Sequence, residues 1–287
     1  MKRCLQCGNL HDAATCPRCG DAPKVIDGFE CHAPALARHA PGYDPAHYEQ
    51  LSQLEAGNFW FQSRNRLILD AMRRHAPDAG RYLEIGCGTG FVLGAVVRAF
   101  PRMACSGSEI FTEGLGIAAT RAPGAQLFQM DARSIPFVSH FDLVGAFDVL
   151  EHIDDDEAVI RQMHDALRNG GKVVLTVPQH PFLWSAQDEA AHHVRRYTRG
   201  ELEQKLQRNG FRVLASTSFV TLLMPALVAS RRVAQRSTDD PFAEFRIPHW
   251  LNAALEWVMR MERMLIQAGL RLPVGGSRLV VAERIAA

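Results

Sequence analysis

A glycine loop set between a strand and a helix limits this chain to a few folds. Arg81 to Ile85 (RYLEI) is a short apolar run that reads as a buried strand. Gly86-Cys87-Gly88-Thr89-Gly90 follows at once, and then a helical run from Phe91 to Phe100. Such a turn lets backbone approach a ligand closely at the carboxyl edge of a parallel sheet, facing a helix N-terminus. NAD-binding domains use a related loop, G-x-G-x-x-G. Here the third glycine comes one place earlier, giving G-x-G-x-G.

The segments after the loop sharpen the reading. Met103 to Ile110 (MACSGSEI) is a second strand ending in Glu109, about twenty residues beyond the last glycine, where a carboxylate can take ribose hydroxyls. A third strand, Gln126 to Met130, ends in Asp131. A fourth, Phe141 to Leu150 (FDLVGAFDVL), runs into Glu151 and His152. The segment Trp184 to Tyr197 (WSAQDEAAHHVRRY) is dense in polar residues and holds His192, His193, Arg195 and Arg196. Phe59-Trp60-Phe61, followed by Arg64 and Arg66, opens a helix before the first strand.

This series resembles the class I S-adenosylmethionine-dependent methyltransferases. The matching pieces are LEIGCGTG, Glu109, MDARSIPF, FDVLEHI and GGKVVLTVP, over residues 59 to 221 and again at 277 to 284. The resemblance implies an α/β fold, a Rossmann-like doubly wound seven-stranded sheet, with strands beginning near Tyr82, Met103, Gln126, Phe141, Lys172, Phe211 and Ser277. The stretch between the last two strands is too long for a hairpin turn, so residues 221–276 are expected to be an inserted helical cap. The resemblance also assigns roles to S-adenosylmethionine contacts. Gly86, Cys87, Gly88 and Gly90 pass under its methionine part, with Glu84 beside them. Glu109 and Ile110 meet ribose, Asp131 and Ala132 the adenine, and Phe147 and Asp148 the sulfonium. Arg64 is expected to pair with the methionine carboxylate, a task its planar fork suits. His152 and His193 are the candidate general bases, and Trp60, His192, Arg195 and Tyr197 the candidate substrate contacts. An ion pair of Arg195 or Arg196 with Glu189 or Glu201 is the plainer alternative.

Four cysteines near the start set another boundary. Cys4 and Cys7, and again Cys16 and Cys19, are spaced C-x2-C, each pair followed by glycine. Two such knuckles complete a tetrahedral S4 site for structural zinc. A segment this short cannot bury enough apolar surface to fold alone, so metal binding must supply the free energy. Disulfides are the alternative, and His11 and His32 are substitute ligands. Residues 1–27 are therefore expected to be a zinc ribbon, 28–46 a linker rich in Ala, Pro and His, and 47–287 the catalytic domain. Cys31, Cys87 and Cys105 read as small buried hydrophobes.

Composition then excludes other classes. Thirty-two Lys plus Arg stand against thirty-one Asp plus Glu, a net charge of +1. That argues against RNA as the partner, although an RNA methyltransferase reading its substrate through the ribbon is the main alternative, and a binding module without turnover the third. The run Phe219 to Ala229 (FVTLLMPALVA) is too short to span a membrane and contains Pro225. Peripheral contact by this run, ahead of Arg231 and Arg232, competes with packing on the sheet. With no apolar leader at the N-terminus, the expected address is the cytoplasm. The acceptor is expected to be a small molecule, natural product or lipid.

Overall fold

The structure is a computed structural model that describes residues 1–38, 47–233 and 245–285. It opens with β1 (Lys2–Arg3), β2 (Leu10–His11), β3 (Lys24–Ile26) and β4 (Phe29–Cys31). Two helices follow, α1 (His47–Glu55) and α2 (Phe59–His75). The chain then alternates: β5 (Arg81–Ile85), α3 (Phe91–Ala99), β6 (Ala104–Glu109), α4 (Thr112–Arg121), β7 (Gln126–Gln129), β8 (Phe141–Phe147), α5 (Asp156–Ala166) and β9 (Leu167–Pro178). It ends with α6 (Ala186–Ala190), α7 (Glu201–Arg208), β10 (Phe211–Phe219), α8 (Met224–Val233), α9 (His249–Gln267) and β11 (Ser277–Arg284).

One mixed sheet runs in the order β10-β11-β9-β8-β5-β6-β7-β4-β3. Among the described residues the sheet has nine strands, where seven are expected from the sequence. The extra pair is the hairpin of β3 and β4, which adds to the free edge of β7 through a parallel pairing of Glu30 with Phe128 and Cys31 with Gln129. It straddles the boundary expected at residues 27 and 28, so the segment read as a linker is in part a strand of the main sheet. Strands of three residues carry too little alternation to be read locally, and β7 supplies the template.

Alternation along the strands divides the core between the two faces. Leu83 and Ile85 of β5 pack with Val144, Val159, Ile160, Leu202 and Leu206, and so face α5 and α7. Tyr82, one register away, packs with Ile68, Met72, Leu93 and Leu115 under α2, α3 and α4. Period-two geometry then aims Glu84 at the same face as Tyr82, toward α2. On α2, Asn58 caps the first turn by accepting from the Trp60 amide at 2.9 Å, and Arg73, Arg74 and His75 lie in the last turn where cations suit the dipole.

Among the described residues, helices α8 and α9 lie between β10 and β11, within the stretch 221–276 read as a cap, and Phe242 lies outside the described residues. Helix α9 lies along α2, tied by Arg66 to Glu256 at 2.6 Å and by Arg263 to Asp70 at 2.5 Å. The Asn252 side chain accepts from the Phe59 amide at 2.8 Å. The apolar run at 219–229 is split: Phe219 and Val220 are buried at the end of β10, and the rest turns into α8.

Beyond its backbone pairing with β7, the N-terminal segment is tied to the sheet by a buried side chain. Gln129 is fully buried; its amide donates to the carbonyls of Ala33 (2.9 Å) and Ile110 (3.0 Å) and accepts from the Ala33 amide (3.1 Å). Gln129→Leu would leave these buried backbone groups unpaired and should lower the unfolding free energy by about 2–4 kcal/mol. Urea denaturation checks this, and a loss below about 1 kcal/mol would show that the strut is not needed.

Candidate active site

The carboxyl ends of β5, β6, β7, β8, β9 and β10 share one edge, and several residues with positive φ follow those ends. Asp148 after β8, His180 after β9 and Val220 after β10 have φ of 57°, 62° and 60°, and His192 has 55°. Side chains with a Cβ are rarely held in that region except where surrounding structure imposes it, typically at functional sites. At Val220 the imposing group is visible. The buried Glu262 carboxylate accepts from the amides of Val220, Thr221 and Leu222 at 2.6–2.8 Å.

The glycine loop leaves β5 at this edge. Gly86 and Gly90 have φ of 65° and 75°, and a Cβ on either would fall 2.6 Å from Val149 or 2.7 Å from the Ala118 backbone. Helix α1 is packed against this loop. Glu55 accepts from the Thr89 hydroxyl at 2.7 Å and pairs with Arg121. Opposite the loop, the Glu109 carboxylate accepts from the amides of Gly88 (2.9 Å) and Ile110 (2.7 Å).

Three acids from the ends of β5 and β8 lie within reach of the charge of Arg64 on α2. Arg64 is buried, ion-paired with Asp148 and stacked 4.5 Å from the Trp60 ring. Its Nε has no partner among the described residues. Glu84 is buried on the same face and accepts from the Tyr82 hydroxyl at 2.9 Å. Burial lifts the Glu84 carboxyl to about 8, against the pull of the Tyr82 hydroxyl and of Arg64. Glu151 is pushed well above the ordinary carboxyl range, first by burial and then by the Asp148 charge. Neither of its oxygens has a hydrogen-bond partner among the described residues.

The histidines meet on the next segment. His152 and His193 rings lie 4.7 Å apart, edge to face. Burial, reinforced by His193, lowers His152 to about 4, so the ring is neutral near pH 7. Asp188 holds His193 Nδ1 at 2.8 Å and Arg196 Nε at 2.7 Å. Burial alone would raise Asp188; the hydrogen bonds from His193 and Arg196 overcome it and bring it down to about 2. An ionised Asp188 selects the His193 tautomer with Nδ1–H and leaves Nε2 free to accept a proton. The ligand atoms of Glu151, His152 and His193 lie within 4.8 Å of one another, close enough to share a proton or a small cation.

A family profile described as a methyltransferase domain matches residues 54–216. The chain belongs to this methyltransferase-domain family. The family segment therefore spans α2 through β10, which is the part of the sheet that carries the loop and the acidic strand ends. A malonyl-[acyl-carrier protein] O-methyltransferase of Methylococcus capsulatus is 28% identical over 50% of this chain and 56% of its own length. A trans-aconitate 2-methyltransferase of an Azoarcus strain is 26% identical over 50% and 54%. The methyltransferase-domain chain thus spans about half the length of the curated relatives it matches. Among solved structures, one chain of a complex between the Haloferax volcanii Trm112 methyltransferase activator and a methyltransferase superposes with a TM-score of 0.56 at 15% identity, covering 85% of this chain and 95% of that one. At that identity the likeness shows the fold.

The residues expected from the sequence fall into groups. Arg64, Glu84, Gly86, Cys87, Gly88, Gly90, Glu109, Phe147 and Asp148 gather around the loop. Asp131 and Ala132 follow β7, with Asp131 holding the Arg133 side chain in a fork at 3.0 and 2.8 Å. His152 and His193 come together; His192 is exposed beside them. Two expected substrate contacts turn away from the edge. Tyr197 is buried and donates to Asp156 at 2.6 Å, because that carboxylate also gathers Lys205 and Arg195 at the start of α5. Arg195 and Arg196 are ion-paired, but with Asp156 and Asp188 rather than Glu189 or Glu201. Asp188 and Glu151 join the site without having been expected there. Asp188 carries a signal: Ser185 and Asp188 form a capping box at the start of α6, three residues apart. The four N-terminal cysteines also meet, with Cys4–Cys19 and Cys7–Cys16 sulfurs 3.6 Å apart. A tetrahedral ion with sulfurs at about 2.3 Å requires roughly 3.8 Å between them, so the cluster fits one. The Gly8 and Gly20 amides close each knuckle onto Cys4 and Cys16 carbonyls at 2.9 Å.

Glu84 makes stability depend on pH. Its carboxyl ionises near 8 when folded and near 4.5 when unfolded. The folded chain therefore keeps a proton that the unfolded chain has released, and stability falls as pH rises from about 4.5 to about 8. Glu84→Gln removes that slope. Between about pH 5 and pH 8 the variant should gain on the wild type by a few kcal/mol, roughly 1.4 kcal/mol for each tenfold fall in proton concentration. Equal slopes in paired urea titrations would show that Glu84 is ionised in the fold.

Proposed function

We propose that the chain is an S-adenosylmethionine-dependent methyltransferase acting on a small-molecule or lipid-type acceptor, and that its N-terminal cysteines hold structural zinc. The observation that carries the reading is the buried Arg64, which pairs with Asp148, acts on Glu84 and keeps a buried Nε–H without a partner among the described residues. That donor suits the methionine carboxylate, and the two acidic strand ends suit the cationic ammonium and sulfonium. In this reading Glu109 would take the ribose hydroxyls, and Asp131 the adenine amino group once Arg133 yields it. The relatives' named acceptors, malonyl-[acyl-carrier protein] and trans-aconitate, support a small-molecule acceptor.

When bound, S-adenosylmethionine supplies an electrophilic methyl group on a sulfur that leaves as a neutral thioether. The chain's residues do the rest. Arg64 would orient the methionine end, and holding acceptor and methyl at near-attack distance is worth roughly 7 kcal/mol or more. His193 Nε2, kept bare by Asp188, receives the acceptor's proton, a contribution of about 10²- to 10⁴-fold. His152, neutral, packs against His193 and does not compete for its charge.

Two substitutions separate binding from turnover. Arg64→Ala should raise the dissociation constant for S-adenosylhomocysteine about tenfold by losing a buried charge pair. His193→Ala should leave that constant within a factor of about two and lower transfer to a responsive acceptor by roughly 10²-fold or more. The acceptor class itself is read from labelled-methyl transfer into lipid, small-molecule, RNA and protein fractions. An unchanged constant in Arg64→Ala removes Arg64 from the cofactor site, and label in RNase-sensitive material makes RNA the acceptor.

The zinc assignment has its own readout. Protein purified with reductant should carry one zinc per chain, and Cys16→Ser should abolish it. Metal-free protein that unfolds at the same urea concentration would remove the structural role.

A further inference from the structure

Helix α9 is amphipathic in the wrong sense for a helix on a protein surface. At 100° per residue, Trp250, Trp257, Met261, Met264 and Leu265 fall within an arc of about 100°. That arc faces solvent: Trp250 is 73% exposed and Trp257 63%, and the other three are also exposed. The opposite arc carries Asn252, Glu256, Glu262 and Arg263, and these turn inward to α2 and to the loop after β10. Met259 and Ile266 complete the inward side. The polar groups of this helix are thus used as internal struts, and its apolar face is left exposed among the described residues.

We propose that this face docks on an anionic lipid bilayer. Three observations choose that occupant. Two indoles on one exposed stripe are the side chains that settle at a membrane interface, with an apolar body and a polar N–H. Within the described residues 245–275 the exposed charge has one sign: Arg260, beside the stripe on α9, and Arg271, just after the helix, are exposed, whereas the carboxylates Glu256 and Glu262 are engaged inward. Basic residues beside an interfacial helix each add attraction to anionic headgroups. The area is also small: two indoles and three aliphatic side chains at these exposures present roughly 600 Å² at most, short of the ~800 Å² per partner of a standard protein interface. A second copy of the same cationic stripe would in addition bring like charges together.

The face is continuous with the candidate site. Glu262 on the inner side of α9 holds the amides of residues 220–222, and α8 follows directly. Arg231 of α8 donates to the Ser185 hydroxyl at 2.5 Å, beside the exposed Phe182 and Trp184. The docking face and the segment expected to border the acceptor are therefore parts of one connected structure. The docking itself does not depend on the methyl-transfer reading.

Vesicle sedimentation tests it. The whole chain should pellet with vesicles of phosphatidylcholine plus phosphatidylglycerol, bind those of phosphatidylcholine alone more weakly, and lose affinity as salt is raised. Trp250→Glu with Trp257→Glu should weaken pelleting about tenfold or more, while the S-adenosylhomocysteine dissociation constant stays unchanged and so reports an intact fold. Two vesicle results would overturn the proposal: no association of the wild type with either vesicle, or equal pelleting of wild type and double variant. A wild-type dimer in solution that the double variant breaks would also overturn it, by giving the face to a second copy.

Discussion

Arg64 is the cation on which the acidic edge of the sheet depends. Asp148 is paired with it directly, and the Arg64 charge also pulls down the buried carboxyls of Glu84, Glu151 and Glu55. Without it, several carboxyl groups would face one another in a site largely closed to water, and buried charge without a partner is expensive. Its own position is determined at a distance. Asn58 starts α2 at the right residue, and α9 clamps the outer face of α2 through Glu256 and Arg263. The inserted helix thus helps to place the charge that organises the site.

The N-terminal module shows a second kind of dependence. Its cysteine knuckles form a local unit, yet the residues just beyond them do not stay with it. The β3–β4 hairpin continues the main sheet beside β7, and His32 packs edge-on to Phe128 and Phe137. Gln129 then ties Ala33 to Ile110, the residue that follows Glu109 at the end of β6. What happens in the cysteine module is therefore mechanically close to the Glu109 side of the glycine loop.

Much of the candidate site is legible because its parts are local in sequence. The strand–glycine–helix unit at 81–100, the carboxylates that end β6 and β7, and the Asp-x-x-Glu-His run after β8 each sit within a few residues of a strand end. Strand ends on one edge of a parallel sheet come together whatever the loops do. The misplaced residues are those whose role depends on a partner far away. Tyr197 has the local pattern of a cleft residue, but Asp156, 41 positions earlier, draws it into the core. Asp188 is easily overlooked because an acid near a helix start usually serves only as a cap; here it also orients His193.

The sequence by itself determined the alternation of strands and helices, the glycine loop, and the pairing of two cysteine knuckles. These follow from short-range rules: periodicity, positive φ at glycine, and ligand spacing. Only the tertiary structure decided three things. The sheet has nine strands because an exposed edge accepts any short strand brought to it. Arg64 meets Asp148 and the neighbourhood of Glu84 because β-strand alternation and the lie of α2 converge in space. Helix α9 shows its apolar face to solvent because α2 offers it ion pairs rather than a groove. Each depends on which faces meet after folding, and a hydrophobic pattern records that a face is apolar without recording what it will touch.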